Sequence, residues 1–404
     1  MKSTLYSLTA LLSLAVACAS EQPVGYAPYS GDPPYPHTRP KLVLPAGEVG
    51  FVTNSYSDTI DVLRMDSLSP LAKYPVGRIP FDIDGPHHLA IDKAAGAVYV
   101  ALSYPQVFAT GGPHAAHGSS TRAGYVQKLA LSDFRELGTP VRVDENPGDI
   151  TMSDDGKRIV VSHFDVARAI SKGLPPEERK ATLVTLDAAK HFDNPSASVP
   201  RLRVCRAPHG VVLSPGRGQF AYVACYADDA IAKVDLDTKA ITLKPLGAAV
   251  NEADAPQFGP YALALSPSAA TIAIGSTEGK DIRFMSTDTL AAIGAPVPMP
   301  GAAYFPAWSK DESRIFVPTQ VPDMLVVVDV ATGVANAQRT FRKDECEKPH
   351  EARVSKDGTK LFVVCEGDHV GLGAVVTLDT ATLQIVARQT TGVYPDRLVV
   401  LEGP

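Results

Sequence analysis

Several histidines of this chain stand where a short apolar run follows a proline. The four histidines in such places are His87, His88, His209 and His350. Two more, His114 and His117, lie three residues apart in a stretch flanked by glycines. Imidazoles that converge from several directions are the ligands that Cu and Zn ions take in proteins. If the fold brings these six side chains together, they predict a copper or zinc site; otherwise each histidine only fills the space beside its proline.

The proline-led runs recur along the chain as a repeat. The seven prolines are Pro86, Pro147, Pro208, Pro260, Pro306, Pro349 and Pro395. Each repeat begins with an alternating apolar run, followed by a polar turn and a second apolar run. A third run, which often ends in aspartate, and a weaker fourth run follow. This pattern indicates four antiparallel strands. Repeats of this length and strand number are typical of propellers. The sequence therefore predicts an all-β fold, a seven-bladed β-propeller of four-stranded antiparallel blades.

The two ends of the repeat region each hold an incomplete repeat. Pro395 leads one strand with no second strand after it, whereas the segment from Val49 begins directly with the equivalent of a second strand. We expect the C-terminal strand to pair with the N-terminal blade, because this closure removes the exposed strand edges of the ring. The propeller is expected to span residues 43–404.

A resemblance to a known family rests on the motif Phe51-Val52-Thr53-Asn54, followed by Asp61-Val62 and Tyr74-Pro75-Val76-Gly77. These residues resemble the YVTN-repeat (YncE-like) seven-bladed propellers of bacterial envelopes, and the resemblance extends from Val43 to Glu402. Later repeats carry degenerate forms of the motif, such as Val98-Tyr99-Val100. The resemblance implies the propeller fold but no particular activity, because propellers host many unrelated functions.

A second resemblance concerns the segment Pro208-His209-Gly210-Val211-Val212-Leu213-Ser214-Pro215. It is similar to a segment of the seven-bladed 6-phosphogluconolactonase-like family, and Pro86-His87-His88-Leu89 is similar to that family's Pro-Arg-His element. This chain departs from the family at His87, which replaces the arginine, and at Cys225-Tyr226-Ala227-Asp228, which replaces Asp-Leu-Gly. The resemblance implies a lactonase-like hydrolase, and a metal-dependent oxidoreductase is the other enzyme considered. The departures favour a binding protein over either enzyme.

The residues before the repeats differ from them in composition. Residues 1–17 hold Lys2 and an apolar stretch too short to span a bilayer, which is typical of a secretory signal peptide. Ala15-Val16-Ala17-Cys18 is similar to a bacterial lipobox and predicts lipidation of Cys18, with simple cleavage as the alternative. Residues 18–42 are proline-rich and predict an extended tether. We therefore expect a cell-envelope protein, lipid-anchored in the periplasm or outer membrane, or secreted if the lipobox is not used.

The other four cysteines form two equivalent pairs, each spanning the hairpin of the first two strands of a repeat. In an oxidising envelope compartment they predict two disulfides within single blades, Cys205 with Cys225 and Cys346 with Cys365. Thiolate metal ligands and free thiols are the alternatives.

One side of the predicted propeller collects most of these residues. In each blade, the segment leading into the innermost strand and the connection between the second and third strands lie on the same side, which we name the top rim. Loops on a rigid scaffold often carry binding residues. We therefore expect a monomeric platform that binds a protein or small-molecule ligand on the top rim and contacts the membrane only through the N-terminal lipid. A net charge of −6 without a basic patch argues against a nucleic-acid partner.

Overall fold

The computed structural model describes residues 39–106, 118–248 and 256–404, which form a ring of seven antiparallel sheets. The predicted seven-bladed β-propeller is confirmed. From the innermost strand outwards, blade one contains β29 (Pro395–Glu402), β1 (Glu48–Asn54), β2 (Thr59–Arg64) and β3 (Pro70–Pro75), and blade two contains β4 (Pro86–Asp92), β5 (Ala97–Leu102), β6 (Ala123–Ala130) and β7 (Val141–Glu145). Blade three contains β8 (Pro147–Met152), β9 (Arg158–His163), β10 (Ala181–Asp187) and β11 (Arg201–Cys205). Blade four contains β12 (Pro208–Leu213), β13 (Phe220–Cys225), β14 (Ala230–Asp235) and β15 (Ile241–Pro245).

The last three blades repeat the plan, except that two short strands share the innermost position of blade six. In the same order, blade five contains β16 (Pro260–Leu265), β17 (Thr271–Ser276), β18 (Asp281–Ser286) and β19 (Val297–Pro298). Blade six contains β20 (Ala302–Ala303) with β21 (Ala307–Trp308), then β22 (Arg314–Gln320), β23 (Met324–Asp329) and β24 (Val334–Thr340). Blade seven contains β25 (Pro349–Val354), β26 (Lys360–Cys365), β27 (Leu372–Asp379) and β28 (Ile385–Val393). The connections contain the short helices α1 (Val166–Ala169), α2 (Pro176–Arg179) and α3 (Lys190–Asp193) and a 3₁₀ turn at Tyr226–Asp228.

The ring closes in blade one, where the first and last strands meet. Strand β29 pairs antiparallel with β1, with Leu401 opposite Val49 and Val399 opposite Phe51. Strand β1 then pairs with β2, and β2 pairs with β3. The predicted pairing of the C-terminal strand with the N-terminal blade is confirmed, and it gives the inner edge of β1 a partner.

Apolar side chains pointing in alternate directions fill the spaces between blades. In β5, Val98 and Val100 belong to the core shared with blade one, whereas Tyr99 and Ala101 pack toward blade three. All four are at most 1% exposed. Successive side chains of a strand lie on opposite faces of the sheet, and here a neighbouring blade covers each face. The second strands are therefore apolar along most of their length.

The innermost strands share an irregularity directly after the anchor proline. In blade two, the register between β4 and β5 shifts between Pro86 and Leu89, and equivalent shifts occur in blades three, four, five and seven. A β-bulge breaks the alternation of side chains. Two consecutive residues, such as His87 and His88, can therefore lie together at the axis.

Both predicted cysteine pairs form disulfides, with Cα–Cα distances of 5.7 Å for Cys205–Cys225 and 5.2 Å for Cys346–Cys365. The prediction that both bridges lie within single blades is wrong for the first. Cys205 ends β11, the outermost strand of blade three, whereas Cys225 ends β13 of blade four. Although Cys205 lies only three residues before the anchor proline Pro208, it still pairs in the preceding sheet, opposite Ala181. The first bridge therefore joins two neighbouring blades.

Some predictions concern residues outside the described ranges. These are the signal peptide, Cys18, most of the tether, and the pair His114 and His117. Within the described ranges, no helix combines the length and apolar character needed to cross a bilayer.

One buried carboxylate, Asp84, and one half-buried carboxylate, Asp58, shape the connection between blades one and two. Asp58 accepts hydrogen bonds from the backbone N–H groups of Asp84 (3.1 Å) and Gly85 (2.9 Å), and Asp84 accepts from those of Arg78 and Ile79. Burial raises the pKa of Asp58 to about 7 and the pKa of Asp84 to about 6. The folded protein therefore keeps protons at these sites that the unfolded chain has released.

Replacing Asp58 with asparagine is expected to flatten the dependence of stability on pH. The folded-state pKa of Asp58 lies above the ordinary value of 3.8, so this group lowers the free energy of unfolding progressively as the pH rises from about 4 to about 7. Asparagine keeps one carbonyl acceptor and tolerates the left-handed backbone at this position, where φ is 48°. The free energy of unfolding, measured in urea, should fall between about pH 5 and about pH 8 by about 2 kcal/mol more in the wild-type protein than in Asp58→Asn. An equal fall in the free energy of unfolding of the two proteins would contradict the raised pKa of Asp58. Asp66→Asn, at an exposed carboxylate, is the control, and its stability should depend on pH as that of the wild type does.

Candidate functional site

The structure brings four of the predicted histidines together at the centre of the ring. His87 and His88 come from blade two, His209 from blade four and His350 from blade seven, and none is more than 1% exposed. The rings of His87 and His88 stack with 4.3 Å between centroids, and the His209 ring lies 5.9 Å and 6.0 Å from them. These side chains lie in the closed interior, not on an exposed surface of the top rim. We name these four histidines and Asp396 the axial cluster.

Asp396, the residue after the last anchor proline, lies among these histidines. Its Oδ2 pairs with His87 Nδ1, while its Oδ1 lies 3.2 Å from His350 Nδ1 and 3.7 Å from His88 Nε2. One ligand atom from each of His87, His88 and Asp396 lies within 4.8 Å of the others. A tetrahedral ion with bonds of about 2.1 Å separates its ligand atoms by about 3.4 Å. Small side-chain adjustments would therefore let one ion contact all three residues.

Three histidines of the cluster are oriented through Nδ1, which in each lies within hydrogen-bond distance of an oxygen. The pairs are His88 with Asp149 Oδ1 (2.7 Å), His209 with the Tyr261 carbonyl (3.2 Å) and His350 with the Asp396 carbonyl (3.0 Å). Carbonyls and ionised carboxylates only accept, so Nδ1 carries the proton and Nε2 carries the lone pair in each neutral ring. Metal-ligating histidines are held in the same way. His88 Nε2 makes no hydrogen bond to any residue of the described ranges.

Asp149 is itself held by blades three and four. Its Oδ2 accepts the backbone N–H of Val211 at 3.0 Å, and its own N–H donates to Ser162 Oγ at 2.9 Å. The Ser162 hydroxyl donates in turn to the backbone carbonyl of His209. Asp149 therefore fixes the orientation of His88 from outside the cluster, as a supporting carboxylate does in metal sites.

The charges of the cluster follow from burial and from neighbouring groups. Burial opposes ionisation of Asp396, but His87 and His350 hold the pKa of its carboxyl well below the ordinary value. Burial alone would lower the pKa of His88, yet Asp149 outweighs it and raises that pKa. Burial lowers the pKa of His87 despite the attraction of Asp396. At neutral pH the cluster therefore offers an ionised carboxylate beside a neutral His87 imidazole.

Aromatic rings and a glycine shape the space around the cluster. Tyr261 stacks on His209 with 3.7 Å between ring centroids, and the Phe305 ring lies 5.2 Å from His350 and 5.5 Å from His88. At the equivalent position of blade three, a Cβ on Gly148 would come within 3.1 Å of the His209 ring. Glycine there leaves room for the imidazole. Because none of the side chains of the axial cluster is more than 1% exposed to water, electrostatic interactions within the cluster are stronger than at a surface.

Two other histidines of the top rim lie away from the axial cluster. The His163 ring is buried between the Thr182 carbonyl (2.9 Å) and the Asp144 N–H (3.2 Å). His369 Nε2 lies 2.7 Å from Glu366 Oε2. The four predicted disulfide cysteines are bonded to one another, so thiolate ligation by them does not occur in this structure.

Sequence reasoning missed the acidic residues of the site. Asp149, Glu351 and Asp396 each lie one or two places after an anchor proline, at positions equivalent to His87 or His88. Comparing these positions across all seven repeats would have grouped the acids with the histidines. Histidine alone drew attention because carboxylates at strand ends are usually solvated.

Comparison with known proteins adds evidence about the fold. No protein-family model matches the sequence, and no curated protein matches it. Among solved structures, a periplasmic gluconolactonase of Pseudomonas aeruginosa is 16% identical, with 88% of this chain and 100% of that chain covered at a TM-score of 0.60. A Kuenenia stuttgartiensis hydrazine synthase chain is 12% identical, with 88% and 100% covered at 0.60, and a Lactobacillus plantarum protein is 12% identical, with 89% and 100% covered at 0.62. These similarities show that the chain shares the seven-bladed propeller fold, which has lactonase neighbours.

Proposed function

We propose that this protein binds one copper or zinc ion at the propeller axis. The observation that carries the proposal is the buried group of His87, His88 and Asp396, whose ligand atoms lie within 4.8 Å of one another. His209 and His350 complete a surrounding set of imidazoles. Nitrogen ligands with one carboxylate suit zinc or copper better than the oxygen-preferring magnesium or calcium ions.

Support for an ion at this place comes from the way the side chains are held. Burying an imidazole costs desolvation energy unless the ring is hydrogen-bonded. Here Asp149 holds His88 through Nδ1, and the Nε2 atom of His88 is directed away from that carboxylate. The His209 and His350 rings are likewise held through Nδ1, each by a backbone carbonyl. Such supporting contacts are the outer partners expected around a metal centre.

We place this function in the cell envelope. Two disulfides suit an oxidising compartment, and the apolar segment 1–17 with Cys18 predicts export with a lipid anchor. A tethered propeller would hold or deliver the ion on the outer side of the inner membrane.

A second candidate function is the binding of a protein partner on the top rim, and exposed apolar side chains favour it. Phe81, Val321 and Val370 lie in connections of this rim and are 74%, 79% and 84% exposed. Loops presented by a rigid scaffold often carry binding residues, and these three side chains lie in such loops. This function does not require a metal ion.

Elemental analysis of the purified full chain tests the metal proposal. We expect about one copper or zinc ion per chain, retained on dialysis against a weak chelator because the ligands are buried. The double variant His87→Ala/His88→Ala should lose the ion, since two of the three closest ligands are gone. His191→Ala is the matched control, because His191 is also buried but lies in α3, where its ring contacts the Asp187 N–H and the Ser198 carbonyl. That variant should keep the ion.

Three results would count against the proposal. A folded wild-type protein that takes up no copper or zinc would remove it and leave the partner-binding platform. Equal loss of the ion from the His191→Ala control would show that the effect is one of stability. Hydrolysis of a sugar lactone by metal-free protein would instead support the lactonase interpretation.

A further inference from the structure

A buried carboxylate links the axial cluster to the surface of the top rim. Glu366, directly after β26, has no exposed side-chain area. Its Oε1 lies 3.7 Å from Nε2 of His350, and its Oε2 lies 2.7 Å from Nε2 of His369. The His369 side chain is 17% exposed. The ligand atoms of Glu366 and His369, which we name the rim pair, therefore lie in a row between water and the axial cluster.

Neighbouring side chains hold both members of the rim pair in place. Gln320 of blade six donates from Nε2 to Glu366 Oε1 at 3.2 Å. The buried Tyr394 ring stacks on the His369 imidazole with 3.8 Å between centroids. A carboxylate and an imidazole held in this way are ligands suited to zinc or copper.

The gap between Glu366 and His350 has a width that an ion can fill. Since His350 Nδ1 donates to the Asp396 carbonyl, its Nε2 carries the lone pair, and this atom lies 3.7 Å from Glu366 Oε1. Two ligand atoms with bonds of about 2.1 Å to one ion can lie up to about 4.2 Å apart. One ion can therefore contact both residues on its way to Asp396, whose Oδ1 lies 3.2 Å from His350 Nδ1.

Aromatic rings cover other parts of the axial cluster on the top side. The Phe164 ring lies 4.8 Å from the His209 ring, and the Tyr304 ring lies 5.3 Å from the His350 ring. Phe164 and Tyr304 are at most 3% exposed. An ion that crossed these ring faces would lose its hydration without gaining ligands, which is costly in a closed interior.

An ion-paired group occupies the opposite side of the axial cluster. Glu351 Oε1 lies 2.5 Å from Arg353 Nη2 and 3.2 Å from Arg397 Nη1, so this carboxylate is already paired. A cation arriving from that side would have to pass two guanidinium groups. On the top rim, by contrast, the exposed carboxylate of Asp368 lies next to His369 in the chain and attracts cations.

We propose that the metal ion enters the axial cluster through the rim pair. His369 binds the ion first because it is the exposed member, and the proton of the hydrogen bond between His369 and Glu366 leaves to water. Glu366 then passes the ion to His350. Zinc can expand from four ligands to five, so the next ligand binds before the previous one leaves. The inference rests on the metal-binding function proposed above and adds the path by which the ion arrives.

The rim pair should govern the rates of metal exchange and leave the affinity unchanged. Its two residues lie outside the three closest ligands, which are His87, His88 and Asp396. A residue on the route lowers the barrier for binding and for release by the same amount. A residue that only supports the fold would instead change the affinity or the stability.

Stopped-flow mixing of metal-free full-length protein with Zn²⁺ or Cu²⁺, whichever ion the purified protein contains, tests the inference. A fluorescent metal indicator follows uptake, and transfer of the ion from loaded protein to an excess of chelator follows release. His369→Gln keeps a donor for Glu366 but removes the imidazole ligand. We expect uptake and release to slow by the same factor of about ten, with the Kd within about twofold of the wild type.

Val370→Ala is the matched control, because Val370 is the next residue of the same connection and is 84% exposed. It should exchange the ion at wild-type rates. Wild-type rates in His369→Gln, with the ion still bound, would overturn the route and leave the metal-binding function intact. Equal slowing in Val370→Ala, or weaker binding by His369→Gln without slower uptake, would also overturn the route. A wild-type protein that binds neither ion would remove both proposals.

Discussion

Replacing Asp396 with alanine is expected to destabilise the protein by about 3 to 5 kcal/mol and to abolish metal binding. The Asp396 side chain is fully buried and contacts His87, His88 and His350, which come from two other blades. Its removal leaves these imidazoles buried beside a cavity without their shared carboxylate. Because Asp396 lies on β29, the change also weakens contacts of the closing blade with blades two and seven.

Urea unfolding and elemental analysis of the same Asp396→Ala preparation measure both effects. Asp396→Asn keeps the size and one acceptor oxygen but removes the charge, so an intermediate loss of stability is expected. Asp288→Ala, on an exposed turn after β18, should change stability by less than about 0.5 kcal/mol and leave metal content unaltered. A stability of Asp396→Ala within about 1 kcal/mol of the wild type would contradict the pairing of this carboxylate with the histidines.

Removing either disulfide is expected to cost about 3 kcal/mol of stability. The bridges close loops of similar length, with sequence separations of 20 and 19 residues, and constraint of the unfolded chain depends mainly on loop length. The double variants Cys205→Ala/Cys225→Ala and Cys346→Ala/Cys365→Ala should therefore show similar losses in urea unfolding without reductant. We expect the first variant also to expose the boundary between blades three and four to proteolysis, because its bridge alone joins two strands of different blades.

Thiol counting provides the check on this prediction. In denaturant without reductant, none of these four cysteines should react with a thiol reagent, and all four should react after reduction. Reaction of any of them before reduction would contradict the bridges. Wild-type stability in both double variants would contradict the proposed constraint.

The axial cluster shows how far sequence reasoning extends into a site. The positions after the anchor prolines indicated His87, His88, His209 and His350 as a group, because repeats place equivalent residues at equivalent radii of the ring. Asp396 escaped, although it occupies the same position in the last repeat. The bulge after Pro86 decides that His87 and His88 both face the axis, whereas strand alternation alone predicts that only one of them does.

The sequence by itself determined the fold, the blade count, the closure of the ring and the cysteine pairs. Each of these depends on local patterns: apolar runs of period two, turns between them, and equal spacing from repeat to repeat. Only the tertiary structure decided which polar residues meet. Asp396 reaches His87 because ring closure brings the last strand beside blade two, and Arg397 reaches Glu351 because blades one and seven are neighbours. Such contacts join residues far apart in the chain, and burial in the narrow channel, which no local pattern records, determines their charges and partners.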